Sequence, residues 1–220
     1  MVDNFELLNS LLDFGSEDDF YMLQVMKRRK ENPDMNKGSI ALKTVYLHRK
    51  DQLLELKDDI VFLCERNNAR AYLNPNRKSF RKCTLACLKE FADRIANEDF
   101  HKPYKVFDSV AGAAGSKETV WVIDLDWKEI SDELADGSGC EERRNVFVQG
   151  IRQFLSGVQP LGDKVVAEVP TLNGVHLLVR PFNPNELKAK FPDLDIHKNN
   201  PTLLYYGGGE DADGAKAARG

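Results

Sequence analysis

A short apolar run that ends in two carboxylates constrains the fold of this chain more than any other stretch. Residues 120–123 are apolar, and Asp124, Leu125 and Asp126 follow them directly. Such a run predicts a buried strand whose Asp-Leu-Asp end emerges at the edge of a sheet. Since side chains alternate along a strand, Asp124 and Asp126 should share one face. Two adjacent carboxylates repel each other unless a cation lies between them, which predicts a site for a hard divalent ion. The alternative is that one Asp caps a loop and the other is solvated.

Length and composition indicate a globular protein. The 220 residues can bury a core in one domain or two lobes, and 42% hydrophobic with 30% charged residues argues against disorder. No apolar run approaches the roughly 20 residues of a membrane span, and residues 1–6 lack the basic region of a signal peptide. We therefore expect a cytoplasmic protein with no membrane partner. The net charge of −4 argues against broad, non-specific binding of nucleic acid.

The cysteines favour reduced thiols over a zinc site. Cys83 and Cys87 lie one helical turn apart, but no second pair and no nearby His completes a ligand set around them. Together with Cys64 and Cys140, they are expected to be free thiols, mainly in the core.

Hydrophobic periodicity in the first half predicts an α/β lobe. A short amphipathic helix is expected within residues 3–14, strands at 20–26, 40–47 and 69–73, and a helix from residue 51 to about 67. A further helix should have an apolar side made of Phe80, Leu85, Leu88, Phe91 and Ile95. The prediction is an N-terminal βαβα lobe over residues 1–112.

Two arginines in this lobe are candidates for binding a ligand. Arg70 and Arg77 flank the strand at 69–73 and its turn, where an α/β lobe can present a cation. A surface position is the alternative for each of them.

The second half predicts the order β-α-β-β-α-β. After the Asp-Leu-Asp strand come a helix around residues 146–155, strands at 164–169 and 175–180, a helix near 184–191 and a strand at 202–206. This is the split-βαβ, ferredoxin-like arrangement that RNA-recognition folds also use. We predict an α+β protein in which the N-terminal lobe packs on a ferredoxin/RRM-like lobe at 113–206. Residues 207–220 are rich in Gly, Ala and Asp and should form a disordered tail.

Two further polar positions could join the carboxylates. In such a sheet the first strand is central, and the strand that carries His176 can lie beside it. His176 follows a turn that contains Gly174, so its imidazole could meet a phosphate, although a satisfied core or edge histidine is the alternative. Asp193 and Asp195 offer a third carboxylate just before the last strand, where a polar loop is the alternative.

Taken together and in this order, the motifs resemble the archaeo-eukaryotic primase superfamily, and its primase-polymerase branch most closely. The first family motif is a strand that ends in Asp-x-Asp, here Asp124 and Asp126. The second is a small residue, any residue and then His on a strand, here Gly174 to His176. The third is a carboxylate before the last core strand, followed by an aliphatic-aromatic pair, Lys-Asn and a strand that ends in Tyr. The similar stretch here begins at Asp195, contains Lys198 and Asn199, and runs to Tyr205.

The resemblance implies template-directed nucleotidyl transfer with two Mg²⁺ or Mn²⁺ ions. Asp124, Asp126 and Asp195 would be the catalytic metal ligands, and His176 would contact the phosphates of the incoming nucleotide. The other candidates for nucleotide or template binding are Gly174, Thr171, Arg70, Arg77, Lys198 and Asn199. The implied ligands are a nucleic-acid template, with DNA favoured, and nucleoside triphosphates, and the implied partners are a helicase or other replication proteins.

The chain departs from the family pattern at two of the motifs. Gly174 stands where Ser is common, so a hydroxyl contact to phosphate is either missing or supplied by Thr171. The third motif offers both Asp193 and Asp195, which leaves the third ligand open.

Two rival functions follow from the same residues. One is a catalytically inactive nucleic-acid-binding module on the same fold. The other is a phosphatase of the haloacid-dehalogenase type, which also begins with Asp-x-Asp on a strand. Such enzymes place Thr or Val two residues after the second Asp, where this chain has Lys128.

Overall fold

The computed structural model describes residues 1–36, 38–116, 119–130 and 140–208. The chain forms two compact units: Met1–Ser116 with Leu203–Gly220, and Lys117–Thr202. Helices and strands are mixed in both units, so the α+β class expected from the sequence is confirmed. No helix among the described residues is long and apolar enough to cross a membrane.

The first unit is built on one sheet. The strands of this sheet are β1 (Val2–Asp3), β2 (Asp19–Arg28), β3 (Ser39–Leu47), β4 (Arg70–Leu73), β5 (Lys78–Ser79) and β10 (Thr202–Tyr206). Their order is β1–β10–β4–β2–β3, and β5 pairs with β2. Strand β1 pairs antiparallel with β10, and β2 pairs antiparallel with β3, β4 and β5. The helices of this unit are α1 (Phe5–Leu11), α2 (Gln52–Glu55), α3 (Lys57–Asn67), α4 (Phe80–Ala96) and α5 (Val106–Ala113), with a 3₁₀ turn at Pro103–Lys105. The helices and strands expected in the first half are therefore present, except that the helix expected from residue 51 to about 67 is divided into α2 and α3. The short strands β1 and β5 and the helix α5 are additional.

Most of the apolar side expected for α4 does not face the core, although Phe80 at its start packs against Phe20. The buried residues of α4 are Cys83 and Cys87, and Cys83 packs in a cluster with Phe20 and Met22. Leu85, Leu88 and Ile95, which the sequence assigned to the packed side together with Phe80 and Phe91, are instead among the exposed large hydrophobic residues. The α4 prediction was right about the helix and wrong about which face packs, because periodicity identifies an apolar stripe but not what covers it.

The second unit has a four-stranded sheet made of β6 (Trp121–Asp126), β7 (Val165–Pro170), β8 (Gly174–Val179) and β9 (Asp195–His197). The strand order is β7–β8–β6–β9, and every neighbouring pair is antiparallel. The helices of this unit are α6 (Trp127–Ile130), α7 (Cys140–Gly157) and α8 (Pro184–Lys190). Ile151 and Leu155 of α7 and Leu187 of α8 pack with Ile123 and Leu125 of β6 in one apolar cluster.

One strand lies in a different sheet from the one that the sequence predicted. The strand at 202–206 was expected to complete the sheet of the second lobe, but it pairs in the first sheet between β1 and β4. All five of its residues are buried, as expected for an inner strand covered on both faces. The fourth strand of the second sheet is instead β9, a three-residue edge strand. It contains no apolar run from which the sequence could predict it. The predicted tail at 207–220 lies outside the described residues from residue 209 onward.

Candidate active site

Strand β6 directs its carboxylates away from the core. Ile123 and Leu125 are fully buried in the apolar cluster of the second unit. Because successive side chains of a strand alternate, Asp124 and Asp126 lie on the opposite face of the sheet. The side chain of Asp124 is 42% exposed, so it can meet a ligand from solvent.

The register of the sheet brings His176 and Asp195 to either side of Asp124. Asp124 is paired with His176 across the β6–β8 ladder and with Asp195 across the β6–β9 ladder. Directly paired residues in an antiparallel ladder have Cβ atoms about 5 Å apart and point to the same face. The three side chains therefore form a row across the sheet, with Asp124 at its centre.

The structure distinguishes between the two carboxylates of the third motif. Asp195 begins β9 and pairs with Asp124, whereas Asp193 lies in the turn before the strand. Leu194 between them is buried in the apolar cluster. Of the two, Asp195 is the one that shares the face of Asp124.

His176 bridges Asp124 and a buried threonine. Its Nε2 lies 3.5 Å from Oδ1 of Asp124, and its Nδ1 lies 2.9 Å from Oγ1 of Thr202, which is fully buried. Burial lowers the pKa of His176, and this effect is larger than the rise in pKa that the charge of Asp124 causes. Nearby His197 lowers the pKa further. The imidazole is therefore neutral near pH 7. Because a carboxylate only accepts hydrogen bonds, we assign the proton to Nε2, so that Nδ1 accepts from the Thr202 hydroxyl.

Asp126 has a local structural partner. The backbone N–H of Lys128 donates to its Oδ1 over 3.1 Å, at the start of α6. This is the capping role that the sequence left open as the alternative. A carboxylate has two oxygens, so capping through one of them still allows the other to bind a cation.

Gly174 is required by the close approach of two strands. A Cβ at this position would lie 1.7 Å from the backbone oxygen of Leu125 on β6, so no side chain fits on this backbone. The adjoining turn is closed by the N–H of Thr171, which donates to the Gly174 carbonyl over 2.9 Å. The absence of Ser at this position is thus explained by packing.

The remaining candidates in the second unit do not join the row. The Nζ of Lys198 lies 5.1 Å from the ring centroid of Trp121, a cation–π contact with a residue of the apolar cluster on the other face of the sheet. Asn199 is the next residue, half-buried in the bend before β10.

Arg70 and Arg77 belong to the first unit, and each has a carboxylate partner there. The Nη2 of Arg70 lies 2.5 Å from Oε1 of Glu31, and its guanidinium stacks 4.8 Å from the ring centroid of Tyr206. The Nη1 of Arg77 lies 3.1 Å from a carboxylate oxygen of Asp13 and 3.8 Å from one of Asp19. Both arginines thus have structural contacts within their own unit.

Sequence reasoning missed two residues of this site, Thr202 and His197. His197 pairs with Val122 and shares the face of Asp124 and Asp195. The Asp-Ile-His alternation at 195–197 was a usable signal, because residues two apart in a strand share a face. No sequence signal connected Thr202 with His176, which lies 26 positions earlier.

The donor set suits a hard divalent cation in its chemistry. Asp124, Asp126 and Asp195 supply carboxylate oxygens, the ligands that Mg²⁺ and Mn²⁺ prefer. Over the described ranges, no group of three or more His, Cys, Asp or Glu side chains is close enough together to hold a metal ion. The backbone thus sets the carboxylates on one face, and their side chains do not converge on one point.

No protein-family model matches the chain, and no curated protein or solved structure is significantly similar to it.

Proposed function

We propose that the second unit is the catalytic core of a primase-polymerase-type nucleotidyltransferase, which synthesises or extends a nucleic-acid primer on a template. The observation that carries the proposal is the register in which Asp124 lies between His176 and Asp195. The three motifs of the resemblance lie far apart in the sequence, so their meeting in one row is not a consequence of local structure. The ligands of this proposal are a DNA template and nucleoside triphosphates.

We also propose that this unit has the ferredoxin-like, RRM-like fold. Support comes from the order β6-α7-β7-β8-α8-β9 and from a sheet in which the first of these strands lies between the third and the fourth. That is the strand arrangement of a split βαβ unit.

In this proposal the chain's own residues hold and orient the reacting groups. Asp124, Asp126 and Asp195 would hold Mg²⁺ or Mn²⁺, which when bound activates the attacking hydroxyl and neutralises charge on the phosphates. Neutral His176 would lie beside the bound ion with its Nε2 3.5 Å from Asp124, and Thr202 positions the imidazole through Nδ1. The same Nε2–H is the donor that a phosphate oxygen beside Asp124 would use.

Primer extension and de novo synthesis assays with labelled template, deoxynucleotides or ribonucleotides, and Mg²⁺ or Mn²⁺ test the proposal. We expect template-dependent product from the wild type and none from Asp124→Asn, since the substitution removes the central carboxylate. Asp193→Asn is the matched control, because it makes the same change in the turn beside the row, and it should retain wild-type activity. Absence of product from the wild type under every nucleotide and metal combination would contradict the proposal.

A catalytically inactive nucleic-acid-binding module is the second candidate. The capping of α6 by Asp126 favours it, because that carboxylate already has a structural role. Fluorescence anisotropy with labelled single-stranded DNA, measured with and without Mn²⁺, separates the two candidates. Metal-independent binding without synthesis would support this second candidate.

A further inference from the structure

A cavity of about 710 Å³ opens in the first unit where α3 ends. Its wall includes Lys27 of β2, Arg66 of α3, the chain that follows α3 to Ala69, and the end of β10 with the two glycines after it. The volume lies within the roughly 300–1,000 Å³ of sites that bind small molecules. None of the described lining residues belongs to the three motifs of the second unit, so the cavity is a separate candidate site.

The charge that lines the cavity favours an anionic ligand. Lys27 and Arg66 each contribute a positive charge, and within the described residues neither forms an ion pair with a carboxylate. The one carboxylate among the lining residues is that of Glu65, which accepts a hydrogen bond from the hydroxyl of Tyr205 over 2.8 Å. An anion that enters the cavity therefore meets two cations that lack a carboxylate partner, the setting in which a phosphate binds.

An exposed aromatic ring adjoins one of these cations. Phe62 lies one helical turn before Arg66 on α3 and is 62% exposed. The guanidinium carbon of Arg66 lies 5.9 Å from the centroid of the Phe62 ring. Proteins that bind single-stranded nucleic acid combine cations that contact the phosphates with aromatic rings that stack on the bases. Phe62 and Arg66 place both elements side by side at the cavity.

We propose that this cavity and Phe62 form a binding site for single-stranded nucleic acid, in which Lys27 and Arg66 contact phosphates and Phe62 stacks on a base. A single strand fits better than a duplex, because the base faces of a duplex are already stacked on their neighbours. Exposed Arg29 and Lys30 add positive charge in the turn that follows β2, beside Lys27. The role of this site in holding a template rests on the proposed function, whereas binding of the strand itself requires neither metal nor catalysis.

Fluorescence anisotropy of the full chain tests the stacking residue. The probe is a labelled oligothymidine strand of about 12 nucleotides, in chelator and about 50 mM salt. Phe62→Ala should weaken binding about tenfold, because loss of one stacked base has a cost of that order. Phe100→Ala is the matched control, since it removes a 69% exposed ring of the same unit that does not line the cavity, and it should bind as the wild type does. Absence of binding by the wild type, or equal binding by Phe62→Ala, would overturn the proposal.

The salt dependence of the affinity tests the phosphate contacts. Lys27→Gln and Arg66→Gln should each reduce the slope of log affinity against log salt concentration by about 0.7, because each removes one phosphate contact to a single strand. This readout separates a lost contact from a loss of folded protein, which lowers the affinity without changing the slope. Lys89→Gln is the control, since it changes an exposed lysine of α4 and should leave the slope unchanged. An unaltered slope in both cavity variants would contradict the phosphate contacts.

Competition experiments identify the ligand and separate this site from the proposed function. Unlabelled oligothymidine should displace the probe at least about tenfold more effectively than inorganic phosphate, thymidine monophosphate or a duplex of the same length. Equal displacement by the duplex would overturn the stacking of Phe62. A wild type that binds the strand but makes no primer would contradict the proposed function and support this site. A wild type that makes primer, with Phe62→Ala and Lys27→Gln binding the strand as tightly as it does, would overturn this site alone.

Discussion

The Nε2 atom of His176 lies 3.5 Å from Oδ1 of Asp124, while the other ring nitrogen contacts buried Thr202. Thr202 thus holds the imidazole at one ring nitrogen, and the other ring nitrogen lies beside the central carboxylate of the row. Burial lowers the pKa of the imidazole, so the pair is a neutral histidine beside a carboxylate. This arrangement makes the folding stability of the second unit sensitive to protonation of one ring.

Acidification should destabilise the protein through His176. Its pKa in the folded state lies below the ordinary value of 6.5, so the unfolded chain takes up a proton first as the pH falls. Stability is therefore at its full value above pH 6.5 and declines below it, until the folded-state pKa is passed. The contribution of one group is at most about 1.4 kcal/mol per pH unit. Urea unfolding of the wild type and of His176→Gln, each with a chelator and at pH 7.5 and 5.5, measures this loss of stability. Identical pH dependence in the two proteins would contradict this assignment.

Asp195→Asn should abolish nucleotidyl transfer without lowering stability. Asp124 and Asp195 are like charges paired directly across two strands, so removing one should stabilise the metal-free protein by up to about 1 kcal/mol. Mn²⁺ should raise the melting temperature of the wild type and raise that of Asp195→Asn less, because stabilisation follows binding to the native state.

Thermal melting with and without Mn²⁺, alongside primer extension, measures both effects. Asp193→Asn is the control and should behave as the wild type does. Activity that is retained in Asp195→Asn and lost in Asp193→Asn would move the ligand role to Asp193.

Gly174→Ala should be strongly destabilising. The new Cβ would lie 1.7 Å from the Leu125 carbonyl oxygen, and backbone cannot yield as a flexible side chain can. We expect a loss of about 3 kcal/mol in the free energy of unfolding. Gly150→Ala is the matched control in α7, where a Cβ meets nothing within 4 Å, and it should stabilise by about 0.5–1 kcal/mol. Equal stability of the two variants in urea would show that β6 and β8 are farther apart at Gly174 than the structure places them.

Cys140 should be the cysteine that reacts first with a thiol reagent. All four cysteines are free, but Cys64, Cys83 and Cys87 are buried, whereas Cys140 is half-exposed. Burial raises the pKa of Cys64 to about 12 and raises the pKa of Cys83 and Cys87, so their thiolates are scarce at pH 8. Mass spectrometry after brief iodoacetamide treatment of native protein should find label mainly at Cys140, and at all four cysteines in urea. Rapid native labelling of Cys64 would contradict its burial.

The amino-acid sequence by itself determined the longer helices and strands, though not short elements such as β1, β5 and β9, and which face of β6 is polar. Ile123 and Leu125 alternate with Asp124 and Asp126, and alternation is a local property that any strand expresses. The apolar side of α4 was equally visible in its spacing. These features depend on neighbours within a few residues, so a single sequence is enough to read them.

Only the tertiary structure decided which strands are neighbours. It placed the strand at 202–206 in the first sheet, chose Asp195 over Asp193 as the partner of Asp124, and brought Thr202 to His176. It also decided that α4 packs through Cys83 and Cys87 and leaves Leu88 in solvent. The physical reason is that strand order and register follow from burying apolar surface contributed by distant segments. No local periodicity encodes which of several buried faces will meet.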